Sequence, residues 1–425
     1  MFYQLKKDCH ISIYNGYGYI LSTELNKMSE VDPTGAVFIG AVKQNPQSLE
    51  QLVDNIIKSF SEVDRETLTN DAREFYDSFV DAGFLIKGET LDQIETFNKT
   101  LKFVQPPINE ASVNFYLPGL DMDFVNFYTY FARYSVQHKD WFMDNSRIAS
   151  FYGTFKNTIW AGGRLSLGMM VSPIDMERTI HKINDAGIAA RYTFTNNMME
   201  ERHLNDTLCN LAMEIANNGK NEVLVNSPVL EKYLREQYPN FKFIQSITAC
   251  QHSIEKINEA TEKYDLVVID FHDNRNMDFL EKIKNKNKIE ILVDGLCPNS
   301  CNRSKEHYSN ISRINCLQGN ANHEYSCLIN KESSKNFYKG LRQRKENNLT
   351  FEEVYKDYYD MGFRHFKLVG RNEFSFYVLE SLVYYLVKPE HRDEVRADLA
   401  DYYIEYMIKT YGGKIKPTLD RPYEG

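Results

Sequence analysis

The chain has 425 residues, a length that accommodates a large α/β body together with a smaller domain. Its apolar and charged fractions of 42% and 26% are those of a globular protein and exclude general disorder. A net charge of -9 argues against a nucleic-acid partner, because the neutralisation of phosphates requires a basic surface.

The first residues, MFYQLKKDCH, contain no secretory signal, and no apolar run approaches the roughly eighteen residues that a membrane-spanning helix needs. We therefore expect a cytoplasmic protein without a membrane partner. In that compartment the seven cysteines are expected to be thiols or metal ligands and not disulfides.

The N-terminal segment begins with a predicted β-hairpin. In HISIYNGYGYILSTE, alternating apolar residues flank Asn15-Gly16, a dipeptide typical of tight hairpin turns. Helices follow: one begins at Asn45-Pro46-Gln47-Ser48, and another begins at Asn70-Asp71 and stops at Gly83, before the strand-like FLIKG.

This arrangement resembles the PqqD-like winged-helix module, which recognises leader peptides in ribosomal peptide modification systems. The best local matches are LVDNIIKSF and DAREFYDSFVDAGFLIKG, and we assign residues 1–95 to the module. The resemblance implies a precursor leader peptide as partner, added as a strand to the edge of the hairpin sheet beside the last helix. The matching positions are Tyr19, Leu21, Phe75 and Phe79. Alternatively, these four residues form the core of a small domain.

Residues 96–145 are predicted to be a connector, residues 146–395 a (β/α) barrel of the TIM type, and residues 396–425 a C-terminal helix and tail. Apolar runs alternate with helical segments and favour a parallel barrel, with an open doubly wound sheet as the second interpretation. The seven runs are RLSLGMMV, IAARYTFT, NEVLVNS, FKFIQSIT, YDLVVIDF, IEILVDG and FRHFKLVG.

Polar residues at the ends of barrel strands are the candidates for chemistry, because the loops there vary without disturbing the packed interior. Lys367 and Arg371 after the last run predict either an anion site or surface salt bridges. Asp294 follows the sixth run and Asp270 and His272 follow the fifth, while Ser227 and Ser246 are expected to cap helices. Arg164, after Gly162-Gly163, is a candidate for binding a carboxylate.

A cysteine-rich loop spans residues 297–327, with Cys297, Cys301, Cys316 and Cys327 in LVDGLCPNSCNRSKEHYSNISRINC and the following HEYSC. Four thiolates on one loop suit an iron–sulfur cluster or a tetrahedral zinc ion. His307 and His323 lie in the same stretch and leave a mixed Cys/His zinc site open. Chance clustering of buried thiols is the remaining interpretation.

This region resembles the collagenase-like peptidase family, which includes oxygen-independent hydroxylation proteins. The resemblance rests on the CxxxC from Cys297, on His307-Tyr308 and on FKLVGR, and covers roughly residues 160–395. It implies that the four cysteines bind a 4Fe-4S cluster in the barrel mouth. The cysteine spacing differs from that of the family, and Val369 stands where the family has Glu.

A radical SAM enzyme requires CxxxCxxC after its first strand. RLSLGMMV is followed by SPIDMERT, without cysteine, and at the CxxxC of Cys297 and Cys301 the third position is Ser304. The sequence therefore does not predict a working radical SAM enzyme, and a radical-SAM-like barrel that has lost its cluster motif stays open as an alternative.

Two functions follow from these patterns. The first is an iron–sulfur enzyme that captures a precursor leader peptide and modifies the core peptide, for example by oxygen-independent hydroxylation, with Arg164, Asp294, Lys367 and Arg371 at the site. The second is a non-catalytic precursor-binding partner of a separate maturation enzyme, with a structural zinc or no metal.

Overall fold

The computed structural model describes residues 1–98, 104–105, 107–120, 122–295, 297, 301–316, 348–370 and 375–411. The chain divides into two compact units. The first contains residues 1–104 and 172–185, and the second contains residues 105–171 and 186–425.

The first unit combines two three-stranded antiparallel sheets with helices. One sheet has the order β5-β1-β6 and the other the order β2-β3-β4. Its elements are β1 (Phe2–Leu5), β2 (Cys9–Tyr14), β3 (Tyr17–Ser22), β4 (Lys27–Val31), α1 (Pro33–Ala41), β5 (Gln47–Ser48), α2 (Leu49–Ile56), α3 (Arg65–Asp81), β6 (Leu85–Gly88), α4 (Leu91–Asn98) and α6 (Pro173–Asp185).

The predicted hairpin is present as β2 and β3. Tyr14 pairs with Tyr17 across the turn, and Asn15 and Gly16 take φ values of 50° and 85°, the left-handed conformation that this turn requires. α2 starts after Ser48, whose side chain accepts a hydrogen bond from the Gln51 amide. α3 begins at Arg65, five residues before the predicted start, with Asp64 as its cap.

Strand β4 was not predicted. Its sequence, KMSEV, contains two charged residues and only two apolar ones, so it lacks the apolar content of a half-buried strand. Its presence makes β3 the central strand of the sheet, paired with both β2 and β4.

Helix α6 covers one face of this sheet. Glu177 on α6 accepts hydrogen bonds from the hydroxyls of Ser12 and Tyr14 on β2. Asp185, at the end of α6, lies 2.7 Å from His10 Nε2 and accepts a 2.6 Å hydrogen bond from Thr23. These contacts hold α6 in the first unit, although α6 lies between two barrel strands in the sequence.

The second unit is built on a closed, parallel eight-stranded barrel, which confirms the barrel prediction over the open sheet. Neighbouring strands pair in chain order, and the last strand pairs with the first. The strands are β7 (Val113–Pro118), β8 (Ser146–Gly153), β9 (Ala189–Phe194), β10 (Glu222–Val225), β11 (Lys242–Gln245), β12 (Leu266–Val268), β13 (Ile289–Leu292) and β14 (His365–Lys367).

Helices connect the barrel strands, as a parallel sheet requires. The helices of this unit that the structure describes are α5 (Met122–Gln137), α7 (Thr207–Ala216), α8 (Pro228–Gln237), α9 (Ile254–Lys263), α10 (Met277–Glu281), α11 (Ser304–Asn315), a π-helical segment (Glu353–Tyr358), α12 (Ser375–Leu386) and α13 (Arg392–Tyr411). Among the described residues, no helix is long and apolar enough to cross a membrane.

The first barrel strand lies elsewhere than predicted. RLSLGMMV is not a strand, and Met169 and Met170 within it are 88% and 73% exposed. The barrel instead begins with β7 in the predicted connector and continues with β8. VNFYLP is buried throughout, which is the pattern of a strand covered on both faces, whereas an exposed methionine pair is incompatible with it.

Candidate functional site

The outer edge of β4 is the first candidate surface. β4 pairs with β3, and none of the other described strands pairs with β4. Lys27 Nζ, at the start of β4, donates a 3.2 Å hydrogen bond to the carbonyl oxygen of Ala82 just after α3. At the other end of β4, Gly35 of α1 lies close to both β4 and α3. A methyl group added to Gly35 would lie 2.8 Å from Cβ of Val31 on β4 and 3.3 Å from Cε2 of Phe75 on α3. The end of α3 therefore lies near the start of β4, and Phe75 of α3 and Val31 of β4 both border Gly35 on α1.

The structure places the four predicted peptide-binding residues in different surroundings. Tyr19 and Leu21 lie on β3 directly opposite Ser12 and His10, so they share the sheet face that α6 covers. Phe79 is 7% exposed and belongs to the hydrophobic core of the first unit. Phe75 is half-buried and packs against Phe38 and Phe79 at ring-centroid distances of 5.0 and 4.9 Å. Of the four, Phe75 is the half-buried aromatic residue on α3.

The barrel interior contains a network of buried charges. Arg191 on β9 donates to Glu222 on β10 at 2.6 Å and to Glu290 on β13. Lys367 Nζ on β14 lies 3.5 Å from Glu290 Oε1 and 4.0 Å from the centroid of the Tyr152 ring. Burial alone would raise the pKa of Glu290, but the charges of Arg191 and Lys367 outweigh it and hold this pKa below its ordinary value.

The described members of the predicted catalytic set have different surroundings. Lys367 is 6% exposed and bound within the barrel network, so it is not the anion-binding residue of a strand end that the sequence suggested. Asp294 is fully buried and accepts hydrogen bonds from the Val369 amide at 2.7 Å and the Ser381 hydroxyl at 3.1 Å, which ties β14 to α12. Arg164 donates to the Gly163 carbonyl at 2.8 Å. Arg371 lies outside the described residues.

The cysteines of the loop are separated by a helix. Cys301 precedes α11 and Cys316 follows it, and a twelve-residue helix is about 18 Å long. Cys316 Sγ accepts a 3.1 Å hydrogen bond from Asn196 Nδ2, while Cys297 packs near Phe271, Leu292 and Val369. Cys327 lies outside the described residues, as does His323.

This arrangement does not fit a shared metal centre. Thiolate ligands of a zinc ion lie about 2.3 Å from the metal, and a 4Fe-4S cluster likewise gathers its thiolates on one compact group. Within the described part of the chain, no group of three or more His, Cys, Asp or Glu side chains is arranged to hold a metal ion. The described cysteines therefore do not fit the predicted ligand set.

A cavity of about 430 Å³ opens instead at the ends of β11 and β12, beside the start of α11. It is lined by Cys250, His252, Asp270, His272, Cys301, Asn302, Ser304 and Lys305. These residues follow three consecutive barrel strands and lie at the carboxyl end of the barrel, where barrel enzymes place their reactive groups.

Two histidine–aspartate pairs form one wall of this cavity. His252 Nδ1 lies 2.7 Å from Asp273 Oδ2, and His272 Nδ1 lies 2.5 Å from Asp270 Oδ1. His272 Nε2 also lies 2.8 Å from the carbonyl oxygen of Cys301. Both nitrogens of His272 face oxygen acceptors, an arrangement that only the doubly protonated ring satisfies fully.

Sequence reasoning identified Asp270 and His272 as strand-end residues but missed His252, Asp273 and Lys305. The available signal was their position after strands of a parallel barrel, which places their loops side by side. Two other expectations are confirmed: Ser227 accepts a hydrogen bond from the Leu230 amide at the start of α8, and Ser246 accepts one from the Thr248 amide.

Comparisons with known proteins support the N-terminal assignment. Residues 18–85 match the family described as coenzyme PQQ synthesis protein D (PqqD). The chain thus joins a PqqD-like region to a closed barrel. No curated protein sequence matches the chain significantly.

Three solved structures illustrate the similarities. TbiB1 in complex with the TbiA(beta) leader peptide is 18% identical over 20% of this chain and 99% of its own, with a TM-score of 0.19. The U32 peptidase Mk0906 is 15% identical over 64% of this chain and 97% of its own, with a TM-score of 0.38. Streptococcus suis SuiB bound to S-adenosylmethionine is 11% identical over 65% of this chain and 67% of its own, with a TM-score of 0.22.

Proposed function

We propose that this protein takes part in the maturation of a ribosomally made peptide and that its first unit binds the leader segment of the precursor. The observation that carries the proposal is the free outer edge of β4, within a region that matches the PqqD family. An extended peptide added to such an edge gains main-chain hydrogen bonds and needs no charge chemistry.

Helix α3 offers the leader a second contact near this edge. Lys27 donates to the Ala82 carbonyl just after α3, and Val31 of β4 and Phe75 of α3 both border Gly35. Met28 on β4 is 38% exposed and offers apolar surface beside the edge. We therefore place alternate leader side chains against Phe75 and assign Tyr19, Leu21 and Phe79 to packing within the first unit.

Proline substitution in β4 tests this proposal. Adjacent amides of a strand point to opposite sides. One of the two substitutions Met28→Pro and Ser29→Pro therefore removes an amide of the outer edge, and the other removes a hydrogen bond to β3. The outer-edge variant should keep the fold, measured by circular dichroism and melting temperature. We expect it to bind a fluorescent candidate precursor peptide at least about tenfold more weakly than the unchanged chain.

Lys220→Gln, at an exposed position of the barrel unit, is the matched control and should bind the precursor as the unchanged chain does. Full binding by a folded outer-edge variant would refute the proposal.

For the barrel, the described geometry favours the second function, in which the protein delivers the precursor to a separate maturation enzyme. The observation is the separation of Cys301 and Cys316 by the length of α11. Because these residues do not fit a cluster, we derive no iron–sulfur or hydroxylation step from them.

A further inference from the structure

The cavity at the ends of β11 and β12 has no role in the capture of a leader by β4. We propose that this cavity binds the carboxylate group of a peptide through His252 and Lys305. We assign the carboxylate to a peptide because of the proposed function. The preference for a carboxylate is argued from the residues of the cavity alone.

Lys305 is the cationic group of the cavity that can meet an anion. Asp270, which lines the cavity, pairs with His272 at 2.5 Å, and Asp273 pairs with His252 at 2.7 Å, so both carboxylates already have an imidazole partner. Lys305 is exposed and forms no ion pair with any carboxylate in the described part of the chain. A carboxylate ligand would pair with its ammonium group through a charge-assisted hydrogen bond.

His252 presents a second donor in its doubly protonated form, because a neutral ring that donates from Nδ1 carries no proton on Nε2. Asp273 accepts a hydrogen bond from Nδ1 and so fixes the orientation of the ring. Nε2 lies 3.9 Å from Asp270 Oδ2, beyond hydrogen-bonding distance, and the side chain is 53% exposed. Nε2 is thus the imidazole nitrogen in the cavity that no described acceptor occupies. Asn302 and Ser304 also line the cavity and add neutral donors.

Cys250 supports the assignment in two ways. Burial, together with the nearby charge of Asp270, raises the pKa of its thiol to about 12, so the thiol is neutral and does not repel an anion. Its φ of 46° is a left-handed conformation that is strained for a residue other than glycine. Such strain concentrates at binding and catalytic sites.

The volume limits the ligand. A cavity of about 430 Å³ is at the small end of the range for ligand pockets and suits one terminal residue or one acidic side chain of a peptide. We therefore expect short peptides to suffice for binding.

The full chain, labelled with ¹³C at the histidine ε1 carbon, is titrated with N-acetyl-triglycine, which carries a free carboxylate, and with its C-terminal amide. The His252 resonance, identified by its loss in His252→Gln, should shift and saturate with the carboxylate but not with the amide. Lys305→Gln should weaken binding about tenfold or more, as the loss of one charge-assisted hydrogen bond predicts. Lys305→Arg should retain binding, and Lys284→Gln, at an exposed position outside the cavity, should leave it unchanged.

Equal binding of the amide, an unmoved His252 resonance, or unchanged affinity in Lys305→Gln would overturn the inference. Tighter binding of inorganic phosphate than of the tripeptide would overturn the carboxylate assignment. N-acetyl-Gly-Glu-Gly-amide distinguishes an acidic side chain from a chain terminus, and binding of either peptide supports the site. The β4 proline variants should bind the tripeptide normally, so failure of leader capture and failure of this site give different results.

Discussion

His365 shows how a single position in the barrel wall fixes a protonation state. Its Nδ1 lies 2.6 Å from the Tyr116 hydroxyl and its Nε2 lies 2.9 Å from the Asn287 carbonyl oxygen. A neutral ring satisfies both contacts, with Nε2 donating and Nδ1 accepting. Burial lowers the pKa of His365 to about 4, in agreement with this tautomer.

The free energy of unfolding should therefore fall as the pH decreases from about 6.5 to about 4. In this window the unfolded chain takes up a proton at His365, whose ordinary pKa is 6.5, while the folded chain does not. Below about 4 both states are protonated and this loss stops. His365→Gln retains a donor and an acceptor but does not titrate, so urea unfolding should show a weaker loss of stability over the same window. Equal losses in the two proteins would contradict this assignment.

At the scale of elements, α11 determines how far apart the cysteines of the loop lie. The sequence places Cys301 and Cys316 fifteen positions apart, and a flexible loop of that length could bring their sulfur atoms together. A twelve-residue helix between them holds its two ends about 18 Å apart. The thiols are therefore separated by secondary structure and not by distance along the chain.

Anaerobic purification followed by metal analysis should accordingly yield a chain without a stoichiometric iron–sulfur cluster bound by these cysteines. Cys316→Ser should leave the metal content and the visible absorption unchanged, and Cys209→Ser, at a buried position on α7, is the matched control. About four irons per chain that are lost in Cys316→Ser would show that the loop rearranges to bind a cluster.

At the scale of the whole molecule, the barrel is crossed by a charged network and not by an entirely apolar core. Arg191, Glu222, Glu290 and Lys367 come from four strands, and the guanidinium of Arg191 lies 3.8 Å from the centroid of the Tyr116 ring. Each buried charge has an opposite charge beside it, which offsets the cost of removing it from water.

Arg191→Met should destabilise the barrel by about 3–5 kcal/mol, because it leaves Glu222 and Glu290 buried without their shared partner. Arg65→Met, which removes an exposed ion pair with Asp54, should cost less than about 1 kcal/mol. Urea unfolding monitored by circular dichroism compares the two variants, and similar losses in both would contradict the role of the network.

The sequence by itself determined the elements whose signals are local. The Asn15-Gly16 turn, the Ser48 helix start and six of the eight barrel strands follow from turn chemistry, capping and apolar runs, and the succession of these strands was enough to predict a barrel. Asp270 and His272 were found because a strand end is visible in the sequence.

Only the tertiary structure decided the rest, because it depends on contacts between distant residues. β4 is a strand because β3 supplies its hydrogen bonds, although KMSEV has little strand character of its own. Lys367 can be buried in the barrel interior because Glu290, on a strand about 75 positions away, neutralises its charge. His252 and Lys305 share a cavity because the parallel pairing of β11, β12 and β13 brings the loops after β11 and β13 together, and a pairing of distant segments is not encoded in any local pattern.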